Sequence, residues 1–412
     1  MLNVNCRQQI IIVMLTIGLI REGKIPLDNR VALTPSQCKW IHQNFSDIKI
    51  MVQHSPHRCF SDEDYLNAGI TVKEDVSECD ILMGIKEVPV EMLIADKTYF
   101  IFSHTKKLQP HNKHLLQSIL KNKITLIDYE CLEHDDGTRI LGFGFFAGIV
   151  GAHNGIMAYG KRTGSFKLNR VNSQNTLRHL IHTYFGLKLP DIKVAVTGSG
   201  RVAHGVLEIM NLLGIHEVEP DEFISKDFSY PVYVHLKGAD LYAHQLTNAY
   251  NRLDFHNNPQ NYKSLFPLYL SQTDILMNGI YWEKNIPRLF ELEDLHNKDF
   301  RIKTISDISD DANGSVPCNF GNATIEDPVY GVDRTTLNIT LPYLPGSVDI
   351  MAVGNLPNEL PKDASRYFGE QLIKYILNDI RIGHTNVLNH ATIVKDGKLT
   401  ATYEYMSEYA EG

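Results

Sequence analysis

Lys86 and His104 each stand just past a short apolar run, in Met83-Gly-Ile-Lys-Glu-Val-Pro89 and Phe100-Ile-Phe-Ser-His-Thr-Lys-Lys-Leu-Gln109. If the two runs are parallel strands of one sheet, the lysine and the histidine emerge at the same edge. Such a pair suits proton transfer near neutral pH. Histidine titrates there unperturbed, and burial or neighbouring cations bring a lysine down toward it. Taken alone, either residue reads as an ordinary surface or structural group, so the case rests on their shared topology. Arg30 follows the turn-like Pro26-Leu-Asp-Asn, and Arg139 follows Asp135-Asp-Gly-Thr. Guanidinium groups bind carboxylates in bidentate fashion, so two arginines near one crevice suggest a dicarboxylic or amino-acid substrate. Glu87 and Glu130 read either as acids that tune the lysine or as ordinary solvated acids.

A second constellation lies in Lys193-Val-Ala-Val-Thr-Gly-Ser-Gly-Arg-Val-Ala203. An apolar run stops at Gly198-Ser199-Gly200, and a helical pattern begins at once with Arg201, Val202, Val206, Ile209 and Met210. This is the strand-turn-helix of a dinucleotide-binding unit. Gly198 permits the turn, Gly200 lets the backbone approach a pyrophosphate, and the helix N-terminus offers N–H groups to the phosphates. An acid about 20 residues further on would take the ribose hydroxyls of NAD. Glu219, Asp221 and Glu222 lie in that region, whereas Arg201 and His204 leave NADP open. Asn278-Gly279-Ile280 and Ser309-Asp310-Asp311 each follow an apolar run and so read as crevice loops.

The elements around these groups alternate strand and helix. Strands are expected at Leu15–Ile20, Ile48–Gln53, Ile81–Ile85, Tyr99–Phe102 and Thr125–Asp128, with helical patterns between most of them. Thr34-Pro35-Ser36 reads as a helix start. The alternation predicts an α/β chain with parallel sheets and helices on both faces. Small residues from Gly142 to Ala158 suit a long, tightly packed helix, read as an inter-domain spine or a close-packed core helix. Residues 163–190 read as a helical connector, and residues 225–262, rich in Tyr, His and Asn, as an insertion. The amphipathic pattern from Ala364 to Leu377 predicts a helix near the C-terminus.

Bulk composition narrows the class. The chain has 412 residues, 43% hydrophobic and 21% charged, with a net charge of -8. That describes an ordinary globular chain of two to three domains and argues against a nucleic-acid partner. Its six scattered cysteines show no zinc spacing, so no metal site is expected, and they read as reduced thiols of a cytoplasmic protein. The apolar stretch at residues 9–20 is too short to span a bilayer. Met14 is a plausible start, with residues 1–13 an unstructured extension. Nothing in the sequence sets an oligomeric state.

Several stretches together resemble the lysine-forming saccharopine dehydrogenases, and most closely the lysine–ketoglutarate reductase half of bifunctional aminoadipic semialdehyde synthases, within the alanine dehydrogenase and transhydrogenase superfamily. They are Asn29-Arg-Val-Ala-Leu-Thr-Pro35, Gly84-Ile-Lys-Glu-Val-Pro89, Phe102-Ser-His-Thr-Lys106, Ile127-Asp-Tyr-Glu130, Phe143-Gly-Phe-Phe-Ala-Gly148, Asn278-Gly-Ile-Tyr-Trp-Glu283, Asp307-Ile-Ser-Asp-Asp311 and Asn355-Leu-Pro357. The resemblance runs from about Thr16 to the C-terminus. It implies two Rossmann-like domains with the active site in the inter-domain cleft. A substrate domain would take residues 14–145 and return at about 340–412, and the dinucleotide-binding domain would take 146–339.

By the same resemblance, Lys86 is the base toward the substrate's secondary amine, and His104 is the acid–base group for water at the imine carbon. Arg30 and Arg139 bind substrate carboxylates, and Glu87 and Glu130 modulate the lysine. Gly198, Ser199, Gly200, Arg201, Val202, Glu219, Asn278, Gly279, Ile280 and Asp311 line the cofactor, NAD or NADP. The implied reaction is the reversible conversion of saccharopine to lysine and 2-oxoglutarate. Two other readings remain: a sister amino-acid dehydrogenase, such as an alanine dehydrogenase or an N-carboxyalkyl amino-acid synthase, and a catalytically silent dinucleotide-binding regulator. In the family's Ser-Ala-Asp motif this chain has Ser309-Asp310-Asp311, an added charge beside the expected nicotinamide site.

Overall fold

The computed structural model describes residues 14–171, 176–321 and 323–411, so the expectation for residues 1–13 lies outside the described residues. The chain divides into two compact units, Met1–Gly142 with Pro361–Gly412, and Phe143–Leu360.

The first unit opens with six strands: β1 (Leu15–Leu19), β2 (Ile48–Gln53), β3 (Thr71–Lys73), β4 (Ile81–Met83), β5 (Thr98–Ile101) and β6 (Thr125–Asp128). They pair in parallel in the order β3-β2-β1-β4-β5-β6. That is the doubly wound order, with a switch point between β1 and β4. Short runs of buried residues, such as Ile81-Leu-Met83, suit strands covered on both faces. The helix Pro35–Asn44 begins as its sequence predicts. Thr34 accepts from Gln37 N, and Gln37 reaches back in a capping box. β3 was not anticipated: three residues at the sheet margin, two of them exposed, give no apolar run to read.

The second unit holds β7 (Lys193–Thr197), β8 (His216–Glu217), β9 (Val232–Leu236), β10 (Tyr242–His244), β11 (Tyr262–Ser264), β12 (Ile275–Asn278), β13 (Thr304–Asp307), β14 (Val329–Asp333), β15 (Ile339–Thr340) and β16 (Ser347–Met351). Its main sheet runs β15-β14-β16-β13-β12-β7-β9-β8, antiparallel only at β14 and β15. β10 and β11 form a separate antiparallel hairpin. Residues 225–262 are therefore not simply an insertion, because β9 lies within them and pairs with β7. Among the described residues, the expected connector at 163–190 holds one short helix, Leu177–His182.

The helix Gly144–Thr163 packs on the helix Arg201–Leu212 at very close range, within this unit. A Cβ on Gly148 would lie 2.0 Å from the Val202 carbonyl oxygen, and one on Gly205 would lie 2.0 Å from that of Phe145. Only glycine at both positions admits this crossing.

The chain re-enters the first unit at Pro361, not near residue 340, because β14, β15 and β16 complete the second sheet. The returning segment supplies the helix Pro361–Tyr375, then β17 (Thr392–Lys395) antiparallel to β6, and β18 (Lys398–Leu399). Among the described residues, no helix is long and apolar enough to cross a membrane.

Candidate active site and dinucleotide site

In a doubly wound sheet, ligands bind beyond the carboxyl ends of the strands at the switch point. In the first unit that point lies between β1 and β4, where Leu19 pairs with Met83. Past those ends come Arg21 and Glu22 from β1, Gly84 to Glu87 from β4, Ser103 and His104 from β5, and Tyr129 and Glu130 from β6. Lys86 and His104 thus lie at one sheet edge.

Glu87 joins several of these groups. His104 Nδ1 lies 2.7 Å from Glu87 Oε1, and Lys24 Nζ lies 2.7 Å from Glu87 Oε2. Burial works to raise the Glu87 carboxyl, but the hydrogen bonds from His104 and Lys24 win and hold it at about 2. His104 itself has a left-handed backbone, φ 53, where the chain turns out of β5. Beneath it, Ser103 N and Oγ both donate to Asp128 Oδ2, at 3.0 and 2.5 Å. Phe102 stacks beside the imidazole with ring centroids 6.3 Å apart.

Lys86 is largely enclosed. Burial is the main cause of its lowered pKa, the Arg30 charge adds to it, and Asp28 and Glu87 oppose it. The Lys86 and Ile85 backbone N–H groups donate to the Glu22 carboxyl, at 2.9 and 2.6 Å. Burial and Asp28 raise the Glu22 pKa to about 8, against those two donors and Arg30. Glu22 and Lys24 are site residues that sequence reasoning missed. They lie in a polar stretch after β1, and only the strand order reveals that this stretch adjoins β4.

The two arginines have different surroundings. Arg30 is 3% exposed and gives Asp28 a bidentate pair, with Nε at 2.9 Å and Nη2 at 2.5 Å. Burial opposes ionisation of Asp28, yet the guanidinium holds its carboxyl at about 2. Arg139 is half-exposed and donates to Glu130 Oε1 at 2.8 Å, with Lys107 Nζ 3.5 Å from the same oxygen. Burial would raise Glu130, but Arg139 and Lys107 bring it below its ordinary value. Glu130 Oε2 is buried without a hydrogen-bond partner. Cations and acids alternate at these strand ends, and of the cations Lys107 and Arg139 are the ones open enough to meet a substrate carboxylate.

In the second unit the switch point lies between β7 and β12. Gly198 has φ 105, and a Cβ there would lie 2.6 Å from the Gly279 carbonyl oxygen, so the turn requires glycine. Gly200 caps the helix Arg201–Leu212 without a side-chain hydrogen bond, and nothing lies within 4 Å of where its Cβ would stand. A helix N-terminus behind a tight turn, with open space at Gly200, fits a dinucleotide pyrophosphate. Ser199 lies in the turn, and Arg201 and Val202 form the helix's first residues.

Asn278 is fully buried. Its Oδ1 accepts from Thr197 Oγ1 at 2.7 Å, and its Nδ2 lies 2.8 to 3.0 Å from oxygens of Asp307, Ser309 and Ser315, among which its two N–H groups are shared. Its side chain thus holds the Gly279-Ile280 loop and the β13 end together. Asp310 and Asp311 follow β13; burial and Asp307 raise Asp310 to about 6. Glu219, Asp221 and Glu222 follow β8, which pairs with β9 and not with β7. The strand beside the glycine turn is β9, whose His235 Nε2 lies 2.7 Å from the Gly198 carbonyl oxygen. It ends at Leu236, followed by the exposed Lys237. The acids expected at the ribose are therefore one strand further out.

Comparison with known proteins agrees with this architecture. Residues 18–150 match the alanine dehydrogenase/PNT N-terminal domain. Among solved structures, the fold is similar to an L-alanine dehydrogenase, with TM-score 0.63 and 15% identity over 96% of this chain and all of that one. It is also similar to a transhydrogenase from Sinorhizobium meliloti, with TM-score 0.58 and 12% identity over 93% of this chain and all of that one. The fold is thus that of the alanine dehydrogenases.

In sequence, the chain is similar to the alpha-aminoadipic semialdehyde synthases and the lysine-forming saccharopine dehydrogenases. It is 30% identical to the mitochondrial alpha-aminoadipic semialdehyde synthase of Mus musculus over 96% of its length and 48% of that protein. It is 25% identical to the saccharopine dehydrogenase [NAD(+), L-lysine-forming] of Yarrowia lipolytica over 87% of its length and 90% of that protein. The chain spans about half the length of the semialdehyde synthases it matches.

Proposed function

We propose that this protein interconverts saccharopine with L-lysine and 2-oxoglutarate, as a nicotinamide-dependent oxidoreductase acting on a C–N bond. The observation that carries the reading is the meeting of Lys86 and His104 at one sheet edge, with Glu87 bonded to the imidazole. In synthesis, the ε-amine of lysine attacks the keto carbon of 2-oxoglutarate. His104 gives a proton to the departing hydroxyl, and the imine forms as water leaves. Reduction of that C=N bond yields the secondary amine, which takes its proton from Lys86. In the opposite direction Lys86 removes that proton, and His104 activates the water that splits the imine.

Arg139 and Lys107 offer cationic partners for substrate carboxylates. Arg30, bound to Asp28, contributes its charge beside Lys86. A bound NAD or NADP, held by Gly198, Ser199, Gly200, Arg201, Val202, Gly279 and Ile280, would accept or supply the hydride. Asn278 keeps the last two of these in place. Asp311 is assigned to the nicotinamide end; Glu219 follows β8, which is separated from β7 by β9, the strand that leads to Lys237. The five described cysteines, Cys38, Cys59, Cys79, Cys131 and Cys318, are free thiols, which favours a cytoplasmic location.

The test is nucleotide oxidation by purified protein given lysine and 2-oxoglutarate, with NADH and NADPH in separate assays. Turnover is expected with one of them. Turnover only with pyruvate and ammonia would move the protein to an alanine dehydrogenase activity. Nucleotide binding without turnover of any pair would leave a silent regulator.

A further inference from the structure

Glu22 has no place in the proton transfers above, yet its carboxyl takes two backbone N–H groups at the switch point. It stands three residues past Leu19 of β1, and Lys86 stands three residues past Met83 of β4, the partner of Leu19 in the sheet. Beyond those paired residues the sheet ladder between the two strands ends after the bond from Ile20 N to the Met83 carbonyl, 2.9 Å. The next N–H groups on the β4 side, those of Ile85 and Lys86, face Glu22. Its two carboxyl oxygens take one each, at 2.6 and 2.9 Å. Gly84 makes room for this approach, because a Cβ there would lie 3.2 Å from Glu22 Oε1. The same peptide segment is held from its other side. The Ile85 carbonyl accepts from Phe102 N at 3.0 Å, two residues before His104.

We infer that Glu22 is a positioning residue for the acid–base pair. Its carboxyl ties the Lys86 turn to the end of β1, and the Ile85–Phe102 bond carries that tie to the His104 turn. One line of hydrogen bonds thereby spans three strand ends and sets the spacing of the lysine and the histidine. Glu22 acts through the backbone. The charges that bear on the Lys86 amine come from Arg30, Asp28, Glu87 and Lys24. A carboxyl is suited to the task because its two oxygens accept from consecutive N–H groups, whereas a carboxamide has one acceptor and would set its NH2 against the other N–H. Small misplacement at such a site costs much in rate and little in binding.

The inference rests on the proposed function for its kinetic readout but is not confined to it. Glu22→Gln and Glu22→Asp are compared with the wild type in the saccharopine assay. Glutamine puts an NH2 in place of one oxygen; aspartate keeps the carboxyl but draws it back by one methylene. Both are expected to lower kcat about tenfold while leaving the KM for each substrate within about twofold. Wild-type kcat in either variant would overturn the positioning role. So would a loss that appears only as a lower fraction of folded protein, read from thermal melting.

A second measurement needs no turnover. The rate of Lys86 acetylation by acetic anhydride, read by peptide mass spectrometry against the surface lysines of the same sample, should change severalfold in Glu22→Gln at Lys86 alone. An unchanged rate at Lys86 would overturn the inference. If the wild type turned over no substrate while the labelling changed as expected, the functional reading would fall and the positioning role would stand.

Discussion

Glu87 holds His104 Nδ1 and Lys24 Nζ at equal distances, 2.7 Å, from its two oxygens. One carboxylate therefore orients the imidazole while its own charge is balanced from the far side. A histidine fixed through Nδ1 presents Nε2 to substrate, as in other sites where a carboxylate selects the tautomer. Replacing Glu87 with Gln should keep the shape and lose the charge. The expected result is a fall in kcat of about tenfold, with nucleotide affinity unchanged by fluorescence titration.

Lys86→Met should lower turnover by a factor on the order of 10², since a general base contributes about that much. Lysine acts as a base only when neutral, and burial lowers its pKa. Saccharopine oxidation in the wild type should therefore rise with pH and level off below the pH at which an exposed lysine would titrate. A pH–rate profile that rose only at the ordinary lysine value would contradict the assigned role.

Lys237 follows the strand beside the glycine turn, where NAD enzymes carry an acid for the ribose hydroxyls. A cation there favours a 2′-phosphate. The ratio of kcat/KM for NADPH over NADH should exceed one, and Lys237→Glu should lower that ratio by about tenfold or more, equivalent to roughly 1.4 kcal/mol. A ratio that does not move with this substitution would place the ribose elsewhere.

Asp28→Asn should destabilise the protein by about 3 kcal/mol, because it leaves the Arg30 guanidinium buried beside an uncharged partner. The sign with pH follows from the lowered Asp28 value. Its contribution is fully present above about pH 4 and is lost as pH falls through about 2. Between pH 5 and pH 2 the wild type should lose on the order of 2 kcal/mol that the Asn variant does not, measured by urea midpoints.

Gly148→Ala should cost roughly 2 kcal/mol or more, since its Cβ would lie 2.0 Å from the Val202 carbonyl oxygen on a backbone that side-chain adjustment cannot move. The loss would appear as a lower melting temperature with the far-UV spectrum unchanged.

Much of this site was legible before the structure. Lys86 and His104 could be placed at one edge because each follows a short run of buried apolar residues, and parallel strands bring their carboxyl ends together. Gly198 was legible because only glycine tolerates its conformation. What escaped depended on lateral order in the sheets. β9 was hidden in a polar segment, so the acids after β8 looked adjacent to the glycine turn when they are one strand removed. Glu22 escaped because its partners are backbone N–H groups, which carry no sequence signature. The engagement of Arg30 by Asp28, two residues away, could have been suspected from spacing. Its burial could not.

The helix that enters at Pro361 places Phe368 against Phe102 and Tyr129, with ring centroids 6.0 and 5.1 Å apart, and Ser365 Oγ accepts from Val31 N at 2.9 Å. The packing under His104 and beside Arg30 thus comes from the last stretch of the chain. On a ribosome, β1 to β6 would emerge first and wait through the translation of the whole contiguous second unit before their sheet could gain β17 and its supporting helix. Vectorial synthesis therefore imposes an order: the second unit can close while the first is still an unfinished sheet with an uncovered edge at β6, the interval in which chaperone capture or misassembly would act on it.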